Sequence, residues 1–149
     1  MSGPPRDEDG YVQPHNDYDL IPNESLLVRY VQKWDLTPKD DGKLHLSKSA
    51  FSASSKDRDR YQGMSVDLLQ KLERDAVNIS TRMRPQHQGA VLLQAGCLRQ
   101  LGLMVGSDPM LSQDLYHCAV WGISAGLRKK IRKQCCVRWL VQPKNAAAL

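Results

Sequence analysis

Acidic residues are nearly missing from the second half of this 149-residue chain. Only Asp108 and Asp114 follow Asp75, so the last 74 residues hold 10 basic and 2 acidic side chains, a formal charge of +8. The first 75 residues hold 11 basic and 14 acidic side chains, a formal charge of −3. A surface of one sign attracts partners of the other sign. The imbalance therefore indicates an anionic partner, such as nucleic acid, a phosphorylated ligand or an acidic protein.

Long apolar runs are also missing, which excludes a helix that spans a bilayer, so no membrane partner is expected. The first ten residues are polar and acidic, so we expect no secretory signal peptide and a cytoplasmic location. None of the four cysteines forms a C-x-x-C pair, which is poor spacing for zinc. We expect these cysteines to be reduced and mostly buried thiols. They are Cys97, Cys118, Cys135 and Cys136.

The sequence lacks the common motifs of metal and phosphate sites. It contains no H-E-x-x-H, no D-x-D-x-D-G loop, no G-x-x-x-x-G-K and no G-x-G-x-x-G, whereas G-x-S-x-G occurs once, at residues 122–126. It also has no zinc finger, no paired aromatic residues of an RNA-recognition motif and no helix-turn-helix pattern. We therefore expect no metal and no cofactor, and the chain could be an enzyme or a binding protein.

The pattern of apolar residues predicts a single α+β domain over residues 22–143, preceded by a flexible acidic tail at residues 1–20. About five short strands and three helices are expected. A helix should begin with Ser65 as its N-cap and run to about residue 76, a short helix should end at Gly102, and Gly122 should end the strand at residues 116–121. Residues 47–63 should form a long irregular segment. The clearest strands are residues 26–31, 90–93, 103–105, 116–121 and 137–141, with a possible short one at 44–46.

Several short motifs resemble a set of small bacterial proteins of unknown function. The resemblance covers roughly residues 22–143 and implies one compact domain, but no activity. The motifs are Ser-Lys-Ser-Ala-Phe at 47–51, Met-Ser-Val-Asp at 64–67, Ala-Gly to Leu-Gly at 95–102, Asp-Pro at 108–109, a Tyr-His strand from residue 116, a basic helix and the strand with Trp139.

A basic helix after Ser124 is the best candidate for a binding site. Leu127, Ile131 and Cys135 recur at intervals of four residues and should face the core. The basic residues should lie on the other sides of the helix, where they could contact an anionic partner or simply keep the helix soluble. The predicted binding residues are Arg128, Lys129, Arg132, Lys133 and Arg138.

An alternative is a small enzyme that handles NAD or another nucleotide. It would use Arg29 on the first strand, the Ser47–Ser55 loop with Ser52, and His117 as the acid or base. Arg29 followed by the serine-rich segment at residues 51–54 resembles the first two elements of NAD-using ADP-ribosyl transferases, although no Glu-x-Glu occurs here and Asp114 is the only acid near the expected third position. The first hypothesis remains a non-enzymatic interaction module. A third is that the acidic tail covers the basic helix. The oligomeric state is left open.

Overall fold

The computed structural model describes residues 21–52, 63–107 and 115–149, together with Glu8. These residues form eight strands and three α-helices, which confirms the α+β class, although the expected number of strands was too low. The predicted tail, apart from Glu8, lies outside the described residues. The strands are β1 (Leu26–Gln32), β2 (Leu36–Pro38), β3 (Leu44–Leu46), β4 (Met64–Leu68), β5 (His87–Gln94), β6 (Met104–Ser107), β7 (His117–Trp121) and β8 (Cys136–Val141). The helical segments are α1 (Leu69–Arg74), α2 (Ala95–Gln100) and α3 (Ala125–Lys130), three 3-10 turns (Lys33–Asp35, Lys48–Phe51 and Ile79–Arg82) and a π turn (Ile131–Cys135).

Six of the strands form one antiparallel sheet in the order β6-β7-β4-β1-β5-β8. Strands β2 and β3 form a separate hairpin. The chain end is attached to this hairpin, because Ala147 N donates to Leu44 O at 2.8 Å. Within the described residues, no helix is long and apolar enough to cross a membrane.

The sheet has an apolar cluster on each face, because successive side chains of a strand point to opposite sides. Leu27 and Val31 of β1 belong to the larger cluster, which also contains Phe51 and Ile131. We call this side the large-core face. Val28 lies between Leu27 and Val31 and belongs to the smaller cluster on the opposite side, the small-core face. The residues that pair across strands share a face, so the register assigns every sheet side chain to one of the two.

Residues 64–68 form a strand rather than the first turns of the predicted helix, so that prediction was wrong. Met64, Val66 and Leu68 are buried in the larger cluster, while Ser65 and Asp67 alternate onto the small-core face. This period of two fits a position between β1 and β7, which pair with β4 on its two sides. Of the helix predicted from Ser65 to about residue 76, only Leu69–Arg74 is helical. Packing against two neighbouring strands therefore outweighs the apolar period of 3.6 that suggested a longer helix.

The prediction that all four cysteines are reduced thiols was wrong. Cys97 in α2 and Cys135 at the end of the π turn form a disulfide, with 5.4 Å between their Cα atoms, so they are not reduced thiols. Cys118 and Cys136 are free. The two bonded cysteines lie 38 residues apart, and the strands between them bring α2 and the π turn together. Sequence spacing could not show this pairing, because it depends on how these strands are placed in the sheet.

Two predicted element ends are confirmed. Gly102 follows α2 with a φ of +87°, and Gly122 follows β7 with a φ of +95°. Residues with a side chain rarely adopt these left-handed backbone conformations, which glycine reaches without steric cost. These turns fix the directions of β6 and of the segment that leads into α3.

Candidate functional site

The basic segment consists of α3 and the π turn that continues it. Its predicted apolar stripe is confirmed: Ile131 and Cys135 are buried in the larger cluster, and Leu127 packs against that cluster. The stripe fixes the orientation of the segment on the large-core face of the sheet. Ser124 precedes the helix with extended backbone, but its side chain makes no capping hydrogen bond.

The cations of this segment lie on the sides that the stripe leaves free. Lys129, Lys130 and Lys133 are exposed, while Arg128 and Arg132 are half-buried. We call these five residues the basic face. Among the described residues, no carboxylate forms an ion pair with any of them. Arg128 Nη1 donates to Ser52 Oγ at 3.4 Å, which places this arginine at the edge of the surface.

Four carboxylates of the described residues are engaged by groups outside the basic face. Asp67 is paired with Arg82, Asp75 with Arg74, and Asp41 with His45. Asp35 is buried and accepts a hydrogen bond from Ser49 Oγ at 2.9 Å. None of these four carboxylates forms an ion pair with the basic face.

Arg138 does not belong to the basic face. It lies on β8, directly opposite Leu92 of β5, and Leu92 is part of the smaller cluster. Paired residues share a face of the sheet, so Arg138 lies on the small-core face, away from α3. Its side chain is exposed. Only four of the five predicted binding residues, Arg128, Lys129, Arg132 and Lys133, therefore form one surface.

Arg29 and Ser52 of the alternative enzyme site do come together, but in a structural network. The Arg29 guanidinium donates to three backbone carbonyls: Ala50 at 2.7 Å, Ser65 at 2.8 Å and Ser52 at 3.3 Å. Burial lowers the pKa of Arg29 to about 10, which leaves it charged at neutral pH. The Ser52 hydroxyl donates to Ser49 O at 2.8 Å. These contacts hold the 3-10 turn at Lys48–Phe51 against β1 and β4.

His117 lies on the other face of the sheet. It pairs with Asp67 on β4, and Asp67 pairs with Val28, a residue of the smaller cluster. Arg29, next to Val28 in β1, points to the opposite side. The structure therefore divides the three residues of the alternative site between two faces, and Arg29, Ser52 and His117 do not line one cleft.

The neighbour of His117 is Ser65, whose Oγ lies 3.1 Å from His117 Nε2. A serine beside a histidine is one part of a nucleophilic site, which also needs an acid on the other ring nitrogen. Within the described part of the chain, Nδ1 of His117 is buried without a hydrogen-bond partner. The nearest acid in the register, Asp67, is engaged by Tyr30 and Arg82. The pair alone does not define a catalytic site.

Sequence reasoning missed the polar cluster around Asp67. Arg82 donates to both carboxylate oxygens at 2.9 Å, and Tyr30 Oη donates to Oδ2 at 2.5 Å. Burial and the bond to Asp67 raise the pKa of Tyr30, so its hydroxyl stays protonated and keeps donating. This arrangement attaches the 3-10 turn at Ile79–Arg82 to the small-core face. The signal in the sequence was an acid between Val66 and Leu68, because a buried acid requires a partner.

Comparisons with protein-family models, with curated proteins and with solved structures found no match to this chain. The function is therefore inferred from the surface itself.

Proposed function

We propose that this protein is a nucleic-acid-binding module whose basic face contacts the phosphate backbone. The observation that supports the proposal is that four of its cations, Lys129, Lys130, Arg132 and Lys133, have no acidic partner among the described residues. Ordinary solvated helices mix charges of both signs. Here the apolar stripe holds the segment on the sheet, so the cations are presented outward without any change in the fold.

Phosphate is the anion that best fits these side chains. Lysine and arginine neutralise phosphates and release the counterions that surround a nucleic acid, and this release makes the affinity depend on salt. Lys129 and Lys133 are exposed and four residues apart, so they lie on the same side of the helical segment, with the exposed Lys130 next to them, and together they can contact neighbouring phosphates. Such contacts give affinity and little sequence preference.

The test is a fluorescence anisotropy titration of labelled oligonucleotides at several salt concentrations. We expect the logarithm of the affinity to fall linearly with the logarithm of salt, with a slope of about −0.9 per phosphate on duplex DNA or about −0.7 on single strands. The double variant Lys129→Glu/Lys133→Glu should weaken binding by about tenfold or more and make the slope shallower by about 1 for each contact removed.

The matched control is Lys39→Glu/Lys43→Glu, which makes the same change of charge at two exposed lysines around the β2–β3 turn. Binding that falls equally in both double variants would show that net charge, and not the basic face, attracts the oligonucleotide. Absence of binding at low salt would contradict the proposal. Binding of polyglutamate without binding of oligonucleotides would assign the surface to an acidic protein.

A further inference from the structure

Trp34 is unusual among the three tryptophans because 63% of its surface is exposed, whereas Trp121 is only 3% exposed. Trp139 packs against the larger cluster. A tryptophan side chain offers a large apolar area whose burial favours folding, so an exposed indole forgoes that gain. Tryptophan is also enriched among the residues that contribute most of the binding energy at contact sites.

The turn that carries Trp34 is held in place on both sides. Lys33 N donates to Gln86 O at 3.1 Å. Asp35 is buried, and its carboxylate accepts hydrogen bonds from Gln32 N at 3.1 Å and from Ser49 Oγ at 2.9 Å. The backbone on either side of Trp34 is thus fixed while its ring is exposed, and little backbone entropy would be lost if a ligand stacked on it.

A chain of hydrogen bonds connects this turn to the basic face. Asp35 accepts from Ser49 Oγ, and Ser49 O accepts from Ser52 Oγ at 2.8 Å. Ser52 Oγ in turn accepts from Arg128 Nη1 at 3.4 Å. The 3-10 turn at Lys48–Phe51 contacts the turn that carries Trp34 as well as α3 and the π turn.

We propose that Trp34 is a base-stacking platform and that the basic face therefore takes single-stranded rather than duplex nucleic acid. The inference rests on the proposed function. An indole can stack on a base only where that base is unpaired and splayed out, whereas the phosphates of either form can reach lysines. The exposed Lys48 lies on the 3-10 turn that contacts both regions and adds a further cation. Single strands thus gain a contact that a duplex cannot make.

The experiment compares a 12-nucleotide oligothymidine with a 12-base-pair duplex by anisotropy, using the full chain. Trp34→Ala should reduce the affinity for the single strand by about tenfold, in line with the loss of one base–aromatic stack, and should leave the affinity for the duplex unchanged. The salt slope should not change, because no phosphate contact is removed. Trp34→Phe keeps an aromatic ring and should restore part of the affinity.

Fluorescence gives a second measurement on the same site. The oligothymidine should quench tryptophan emission in the wild type and much less in Trp34→Phe, because the other two tryptophans are not exposed in this way. Val137→Ala is the control for loss of an exposed apolar side chain, since Val137 is 51% exposed and lies on β8. It should bind both oligonucleotides like the wild type.

The outcomes separate the two proposals. If the wild type binds neither oligonucleotide, the proposed function fails. If it binds them but Trp34→Ala retains full affinity for the single strand, or loses affinity for both forms equally, the stacking inference is overturned while the phosphate-binding surface remains.

Discussion

The disulfide between Cys97 and Cys135 should contribute substantially to the stability of the fold. A cross-link stabilises mainly by restricting the unfolded chain, and its effect grows with the length of the closed loop. For cysteines 38 residues apart, this chain-entropy estimate gives about 4 kcal/mol at 25 °C. Typical domains have free energies of unfolding of about 5–15 kcal/mol. Reduction should therefore remove a large part of the stability.

The folded state should nevertheless persist after reduction. Leu98 of α2 and Ile131 of the π turn are both fully buried in the larger cluster, and the two segments remain in contact without the bond. We expect the reduced protein, and the Cys97→Ser/Cys135→Ser variant, to unfold cooperatively at a lower urea concentration. With a dependence of about 2 kcal/mol per molar urea, the midpoint should fall by about 2 M.

The assay is urea unfolding followed by tryptophan fluorescence, with and without a phosphine reductant. Alkylation under denaturing conditions and mass measurement give the thiol count, which should be two in the oxidised protein and four after reduction. Denaturant is needed because burial raises the pKa of Cys136 to about 12 and keeps its thiol unreactive in the folded state. Cys136→Ser is the control and should still respond to reductant. Equal midpoints in verified oxidised and reduced samples would refute the reasoning.

Two further predictions concern the basic segment and the small-core face. Ile131→Ala should destabilise the protein by about 2–5 kcal/mol in urea unfolding, because Ile131 is fully buried, whereas Lys130→Ala at an exposed site should change stability by less than about 0.5 kcal/mol; equal effects would show that the helix orientation is wrong. Burial, and after it the charge of Arg84, lowers the pKa of His87 from its usual 6.5. The unfolded chain therefore binds more protons than the folded one, and stability should fall as pH decreases below about 6.5. His87→Gln should lose this part of the pH dependence, and parallel stability profiles of wild type and variant would contradict it.

The sequence by itself determined the features that depend on local pattern. The interval of four residues between Leu127, Ile131 and Cys135 identified the buried side of the basic segment, and the structure confirms it. Gly102 and Gly122 marked the ends of α2 and β7, because their left-handed backbone conformations strongly favour glycine. The charge of the basic face also follows from composition, since its segment contains cations and no acid.

Tertiary structure alone decided the features that depend on the order of the strands. Residues 64–68 became a strand because β1 and β7 pair with both of its edges, which the local pattern does not encode. The register placed His117 and Arg138 on the small-core face, separating His117 from Arg29 and Arg138 from the basic face. The same packing put Cys97 beside Cys135. Strand pairing and disulfide formation join residues far apart in sequence, so their outcome depends on the global arrangement and not on local propensity.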